Sequence, residues 1–114
     1  MKDNYLKKVC DHISLFFNES YESDMTSEKV LEMIQNNEGY IDVAYTTNED
    51  EIQEEIDFIE VQVTLNVLKY EVNTTKVFYH ISGEVEVVPN EKTYQSQDKF
   101  IEYLDSMDFD EMIA

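Results

Sequence analysis

The residues of this chain that could do chemistry are two histidines, one cysteine and 26 carboxylates. His12 falls in a helical pattern and His80 in a strand pattern, and neither has a catalytic partner at a known motif spacing. Cys10 fits a small core filler better than a nucleophile, because no neighbouring motif marks an activated thiol. No nucleophile elbow, phosphate loop, dinucleotide fingerprint or zinc spacing occurs. The sequence therefore predicts a protein that is not an enzyme and uses no cofactor.

Acids near the C-terminus raise the question of a metal site. Asp105, Asp108 and Asp110 lie close together in the sequence, and carboxylates are natural ligands for calcium. The segment lacks the central glycine and the terminal glutamate of a calcium-binding loop. We expect weak, nonspecific binding of divalent cations here and no built metal site.

The net charge restricts the class of partner. The chain carries 26 acids against eight bases, a formal charge of −18, and every base is lysine. Affinity for DNA or RNA comes from neutralising phosphates, and arginine is the preferred residue for bidentate phosphate recognition. Direct nucleic-acid binding and attachment to anionic membranes are therefore disfavoured. The charge predicts a basic partner, such as a positively charged groove on another protein.

The densest acidic segment is 48–60, which contains no base. Two conformations fit it. Ile52, Ile56 and Ile59 have the spacing of a short helix, whereas a loop between two strands, the interpretation we favour, fits its polarity equally well. The segment's acids, predicted to bind the partner, are Glu49, Asp50, Glu51, Glu54, Glu55, Asp57 and Glu60.

A second acidic block near the C-terminus extends the predicted partner-binding surface. It consists of Asp105, Asp108, Asp110 and Glu111. Alternate strand residues stand ~6.6 Å apart and helix neighbours ~5–6 Å apart. Both intervals are close to the ~7 Å path between phosphates of one DNA strand. Acidic runs are usually solvated surfaces, but the total charge, the missing arginine and the two separate blocks favour mimicry of phosphates.

The periodicity predicts a single α+β domain over residues 1–114. Apolar residues at helical spacing predict a first helix over 3–19, and a second helix follows a cap at Thr26 or Ser27 and ends near Gly39. Ser96 caps a C-terminal helix that is expected to pack on the sheet. The segment 105–114 is either a packed final turn or a flexible acidic tail.

Between these helices we expect a three-stranded antiparallel sheet. The alternation of apolar and polar residues places its strands at about 40–46, 57–72 and 76–88. The apolar set changes parity at Val67-Leu68, which predicts either a β-bulge or a strand end buried on both faces. Residues 73–75 are expected to form the turn between the second and third strands. The third strand is expected to continue through Gly83 and to end at Pro89-Asn90.

The chain resembles, as a class, the acidic phage-encoded inhibitors that mimic DNA: anti-CRISPR proteins, anti-restriction proteins and uracil-DNA glycosylase inhibitors. The resemblance rests on the small size, the acidity, the helix–sheet–helix order and a residue usage typical of AT-rich coding, with two Gly, two Ala, one Pro and no Arg; no motif carries it. It implies occupation of the nucleic-acid groove of a bacterial nuclease or DNA-binding effector, with a CRISPR effector as the first expectation. Tyr45, Phe58, Tyr103 and Phe109, beside the acids, are candidate apolar anchors.

Two other classes of function remain open. The chain could be an immunity protein or antitoxin that neutralises one basic toxin, because the electrostatics would be the same. It could also be a structural or assembly component of a phage. The single cysteine and the absence of a signal peptide or long apolar run predict a cytoplasmic protein in a bacterial host. We expect a monomer or a small homo-oligomer.

Overall fold

A computed structural model of the chain describes residues 2–48 and 55–113. The elements are α1 (Lys2–Tyr21), α2 (Ser27–Asn36), β1 (Tyr40–Asn48), β2 (Ile56–Asn66), β3 (Glu71–His80), β4 (Val85–Thr93), α3 (Gln97–Asp105) and α4 (Phe109–Met112). The predicted α+β class with an antiparallel sheet is confirmed. Across the described ranges the sheet has four strands in the order β1-β2-β3-β4, so the prediction of three strands is wrong.

The helices begin where the sequence places their caps. The side chain of Thr26 accepts a hydrogen bond from the backbone of Lys29, and that of Ser96 accepts one from Lys99. Each bond satisfies a backbone donor that the first helical turn leaves without a partner. Gly39 follows α2 with a φ of +98° and donates its N–H to the carbonyl of Ile34, which ends the helix. No helix in the described part of the chain is long and apolar enough to span a membrane.

The helices pack on one face of the sheet. The stripe predicted for α1 is buried, with Val9 and Ile13 fully enclosed, and the hydroxyl of Tyr5 donates to the carbonyl of Val67 at 2.6 Å. In α3, Phe100 is fully buried and its ring lies 6.0 Å from that of Tyr94. Burying an aliphatic or aromatic side chain of this size contributes ~1.5–3 kcal/mol. This core therefore holds the helical layer to the sheet.

A turn at residues 67–70 divides the second predicted strand. The Oδ1 atom of buried Asn66 accepts hydrogen bonds from the backbones of Leu68 and Lys69, both at 3.1 Å, and Tyr70 takes a φ of +57°. The change of parity at Val67-Leu68 therefore marks this turn, and neither a bulge nor a doubly buried strand end. The predicted turn at 73–75 is wrong as well, because these residues pair with 62–64 in the middle of β3.

A second turn, at residues 81–84, divides the third predicted strand. Gly83 adopts a φ of +96° and donates its N–H to the carbonyl of His80, so the chain reverses there instead of continuing. Pro89-Asn90 does not end a strand, because both residues lie inside β4 and pair with β3. A proline is tolerated at this position because β4 is an edge strand.

The C-terminal part of the acidic segment is a strand and not a helix, because β2 begins at Ile56. Ile56 and Ile59 lie in β2, so the helical interpretation of the stripe they form with Ile52 is wrong at this end. The predicted loop, residues 47–55, falls mostly on 49–54, which lie outside the described residues; Thr47 and Asn48 belong to β1. Asp57 coincides with a shift of register between β2 and β3.

The sheet extends beyond the helices that cover it. Buried residues of β2 begin at Val61, whereas 56–60 are half-buried or exposed, and every residue of β4 is exposed. The molecule measures 51 × 30 × 25 Å, as expected for a sheet longer than its helical layer. We call residues 45–48, 56–62, 75–80 and 85–89 the distal end of the sheet. The face opposite the helices is its open face.

Candidate interaction site

The first predicted acidic block lies at the distal end, as far as the structure describes it. Glu55 and Asp57 are exposed where β2 begins, and Glu60 is half-buried three residues further on. The carbonyl of Glu55 accepts a hydrogen bond from Ile81 at 3.0 Å, which joins this segment to the turn between β3 and β4. The other members of the block, Glu49, Asp50, Glu51 and Glu54, lie outside the described residues.

The second block lies on the helical side of the sheet. Asp105 ends α3, with its Oδ1 atom 3.9 Å from Nδ1 of His12. Asp108 caps α4 by accepting the backbone N–H of Asp110 at 3.0 Å, and Asp110 and Glu111 are exposed in that helix. Some of these acids therefore have structural partners as well as solvent exposure.

The two blocks do not form one continuous cluster in the described residues. A groove of about 390 Å³ beside α4 is lined by Thr74 and Glu111, and Thr74 pairs with Val63. Asp57 of the first block precedes Val63 by six residues on β2, so it lies on the order of 20 Å along the strand from the part of the sheet beside this groove. A single partner surface would have to extend around the edge of the sheet to contact both blocks.

The open face brings together apolar side chains that are far apart in the sequence. Thr64 and Asp42 lie on this face, where Oγ1 of Thr64 donates to Oδ1 of Asp42 at 2.6 Å in an exposed hydrogen bond. Because side chains alternate between the two faces along each strand, these two positions assign the others. We call its apolar residues at the distal end the open-face strip: Tyr45, Phe58, Val77, Tyr79, Val85 and Val87. The exposed fractions of Tyr45, Val85 and Val87 are 55%, 56% and 57%.

Four residues of the open face form a compact group, the Tyr79 cluster, which consists of Tyr45, Phe58, Glu60 and Tyr79. The rings of Phe58 and Tyr79 stack with centroids 4.2 Å apart and planes 16° apart, because these residues are directly opposite on β2 and β3. Hydrogen bonding to the Glu60 carboxylate, followed by partial burial and the charges of nearby Glu60 and Tyr45, raises the pKa of Tyr79.

The outer edge of the sheet is a poorer site than its open face. The N–H of His80 bonds the carbonyl of Glu84, and the N–H of Tyr94 bonds the carbonyl of Tyr70. The backbone groups of even-numbered residues in β4 therefore face β3, and those of odd-numbered residues face away from the sheet at its edge. Pro89 is one of these and has no N–H to offer. A partner strand therefore could not add a continuous ladder along β4.

The anchors proposed from the sequence divide between the open face and the core. Tyr45 and Phe58 belong to the open-face strip. Phe109 instead packs edge-on against Tyr21, with centroids 5.5 Å apart, and burial raises the pKa of Tyr103 to about 12. The last two rings hold α3 and α4 in place.

The residues considered for catalysis have no catalytic arrangement in the described ranges. Burial raises the pKa of Cys10 to about 11, so its thiol is poorly suited to nucleophilic attack. His80 Nε2 lies 3.6 Å from Oε1 of Glu86 at the exposed end of the sheet. Within residues 2–48 and 55–113, no three His, Cys, Asp or Glu side chains are grouped to hold a metal ion.

A groove also lies between α1 and α2. It has a volume of about 440 Å³ and is lined in part by Leu6, Cys10 and Leu31. The carboxylate of Asp11 on its wall already accepts the hydroxyl of Ser27 at 2.5 Å. Lys7, Glu28 and Gln35 also line the groove, so its lining mixes apolar and polar side chains.

Comparison with known proteins gives no relative. No family model, no curated protein and no solved structure matches this chain.

Proposed function

We propose that this chain is a non-enzymatic inhibitor that binds the basic nucleic-acid groove of a bacterial defence or DNA-processing effector, as an anti-CRISPR protein does. The observation that carries the proposal is the distal end of the sheet. An exposed apolar strip lies there within two sequence ranges, 45–62 and 75–89, that together carry nine acids and one lysine.

Charge and apolar area have separate roles in such an interface. Complementary charge accelerates association with a basic groove and discriminates against neutral or acidic surfaces. Charge alone gives weak, salt-sensitive binding, so affinity needs anchors that lose water on contact. The open-face strip provides such anchors within the sheet, where little conformational entropy remains to be lost.

Two carboxylates at this end support the proposal by their separation in sequence. Glu55 and Asp57 are exposed, two residues apart at the start of β2. Alternate positions of a strand are ~6.6 Å apart, close to the interval between phosphates. Glu60, three residues after Asp57, lies on the open face and adds a carboxylate outside this spacing.

The test is capture of purified effectors by the immobilised chain at about 50 mM and about 300 mM salt, with DNA as competitor. We expect binding that weakens at the higher salt and that duplex DNA displaces. Capture that ignores both salt and DNA would contradict phosphate mimicry. Capture of a basic toxin instead of an effector would favour the immunity-protein alternative.

Matched charge reversals locate the interface. The double variant Glu55→Lys, Asp57→Lys should abolish capture. Glu32→Lys, Glu38→Lys makes the same change of net charge at exposed positions near α2 and should retain it. Equal losses in both would mean that total charge matters and its location does not. A third variant, Asp110→Lys, Glu111→Lys, reports whether the C-terminal block contacts the same partner.

A further inference from the structure

The Tyr79 cluster combines three aromatic rings with a carboxylate on an exposed sheet. Phe58 and Tyr79 are stacked on paired strands, Glu60 lies two residues from Phe58 on the same face, and Glu60 and Tyr45 are close enough to raise the pKa of Tyr79. A carboxylate that accepts one hydroxyl still has lone pairs for further donors. The cluster therefore presents aromatic surface and acceptor capacity at one place.

We propose that the Tyr79 cluster seats an arginine side chain of the basic partner, with the guanidinium donating to Glu60 and lying against the rings. The inference rests on the function proposed above and assigns it a contact residue. Guanidinium is planar, stacks on aromatic faces and can donate two parallel hydrogen bonds to one carboxylate. Arginine is also the residue that nucleic-acid grooves use most to hold phosphates and guanines.

The chemistry of the cluster favours arginine over the two other candidate occupants. A lysine ammonium is compact and strongly hydrated, so it gains less from stacked rings than guanidinium does. Aromatic residues on an open sheet also serve as stacking platforms for single-stranded nucleic acid. Here the surrounding acids would repel the phosphates that such a strand carries, because the sequence ranges 45–62 and 75–89 carry nine acids and one lysine.

The experiment compares an arginine-rich peptide with a lysine-rich peptide of the same length and charge, each titrated into the full chain at low salt. Calorimetry gives the affinities, and the ring resonances of Tyr79 report the site of contact. We expect the arginine peptide to bind about tenfold more tightly. Glu60→Gln and Tyr79→Leu should each remove most of this preference, with unfolding curves confirming that both variants are folded.

Glu91→Gln is the matched control. It removes one carboxylate from the same open face, six residues along β4 from Val85, the residue that pairs with Tyr79. It should lower both affinities slightly and leave the arginine preference unchanged. The preference is the decisive readout, because a merely structural role of Glu60 would weaken both peptides equally.

Three results would overturn the arginine site: equal affinities for the two peptides, an arginine preference that persists in Glu60→Gln, or tighter binding of a single-stranded oligonucleotide to the same rings. The effector capture described above is scored separately. Successful capture with no arginine preference removes only this inference. Failure to capture any effector removes the proposed function, whatever the peptides do.

Discussion

Replacing Tyr5 by phenylalanine tests the turn that divides β2 from β3. The Tyr5 hydroxyl donates to the carbonyl of Val67 at 2.6 Å, and Val67, the first residue of the turn, is fully buried. Burial also raises the pKa of Tyr5 well above its usual range, so the hydroxyl remains a donor throughout ordinary conditions. The substitution removes one oxygen and keeps the ring, which contacts Tyr70 edge-on at 5.8 Å.

The expected loss of stability arises at the carbonyl of Val67, which loses its hydrogen-bond donor in Tyr5→Phe. Losing the partner of a buried carbonyl costs ~1–3 kcal/mol, because that oxygen has no water to replace the hydroxyl. Packing terms should change little, since the ring stays in place. A protein of this size has a urea m-value of ~1–3 kcal/mol per molar, so a loss of about 2 kcal/mol should lower the midpoint by about 1 M.

Urea unfolding followed by far-ultraviolet circular dichroism measures this change, with the m-value checked for constancy. Tyr40→Phe is the control, because Tyr40 is 39% exposed and its hydroxyl is accessible to water. It should change stability by less than about 0.5 kcal/mol. If Tyr5→Phe costs no more than this control, the hydroxyl does not hold the turn and our account of the strand division fails.

Four further outcomes are expected. Gly39→Ala should destabilise the fold by about 2 kcal/mol in thermal unfolding, because φ is +98° and the added Cβ would lie 2.8 Å from Oδ1 of Asn66. Cys10 should react with iodoacetamide at about pH 8 far more slowly than a free thiol until urea is added, since burial raises its pKa to about 11. Burial raises the pKa of Tyr103 to about 12, so its contribution to stability is complete below the usual tyrosine value of 10.0 and is lost as pH rises towards 12. Val87→Ser, at a 57% exposed position, should leave stability within about 0.5 kcal/mol and speed dissociation from a captured effector.

Each of these has a result that contradicts it. Full stability of Gly39→Ala would mean that the turn relaxes around the added carbon. Rapid alkylation of Cys10 in the native protein would show an open path to the thiol. For Tyr103, unfolding curves that coincide at about pH 8 and about pH 11 would exclude a buried phenol, and Tyr103→Phe should remove part of any pH dependence. An unchanged dissociation rate for Val87→Ser would move the interface away from the open-face strip.

Helices α1, α2 and α3 were predictable because their signals are local, whereas α4, one short turn near the C-terminus, was not predicted as a helix. A cap such as Thr26 or Ser96, followed by apolar residues at helical spacing, needs no tertiary information. The turn at 67–70 was not predictable in this way, because it contains neither glycine nor proline. It depends on a buried Asn66 side chain and on Tyr70 in a left-handed conformation, and both are stabilised by the surrounding fold. The turn at 81–84, by contrast, could have been predicted from the Ser82-Gly83 pair, because this dipeptide is typical of turns.

The candidate site was predictable only in its charge. The acids before β2 stand out in the sequence, but the open-face strip depends on register between strands that are distant in sequence. Tyr79 meets Phe58 only because β3 begins at Glu71, and a sheet divided at 73–75 would have paired different residues. Moving one turn therefore changes which side chains share a face.

The separate roles that we propose for charge and apolar contact at the distal end would explain how an acidic surface of this kind can be selective. Salt at physiological strength screens exposed charges beyond about 8 Å, so carboxylates that attract a groove from a distance contribute much less to the final complex. They attract every basic groove in a similar way, because long-range fields carry little information about shape. Selectivity has to come from contacts that form only at close range, and the open-face strip is where the described residues offer them. In the proposed complex, the acids would determine how fast a basic partner arrives, whereas the Tyr79 cluster and its apolar neighbours would determine which partner remains bound.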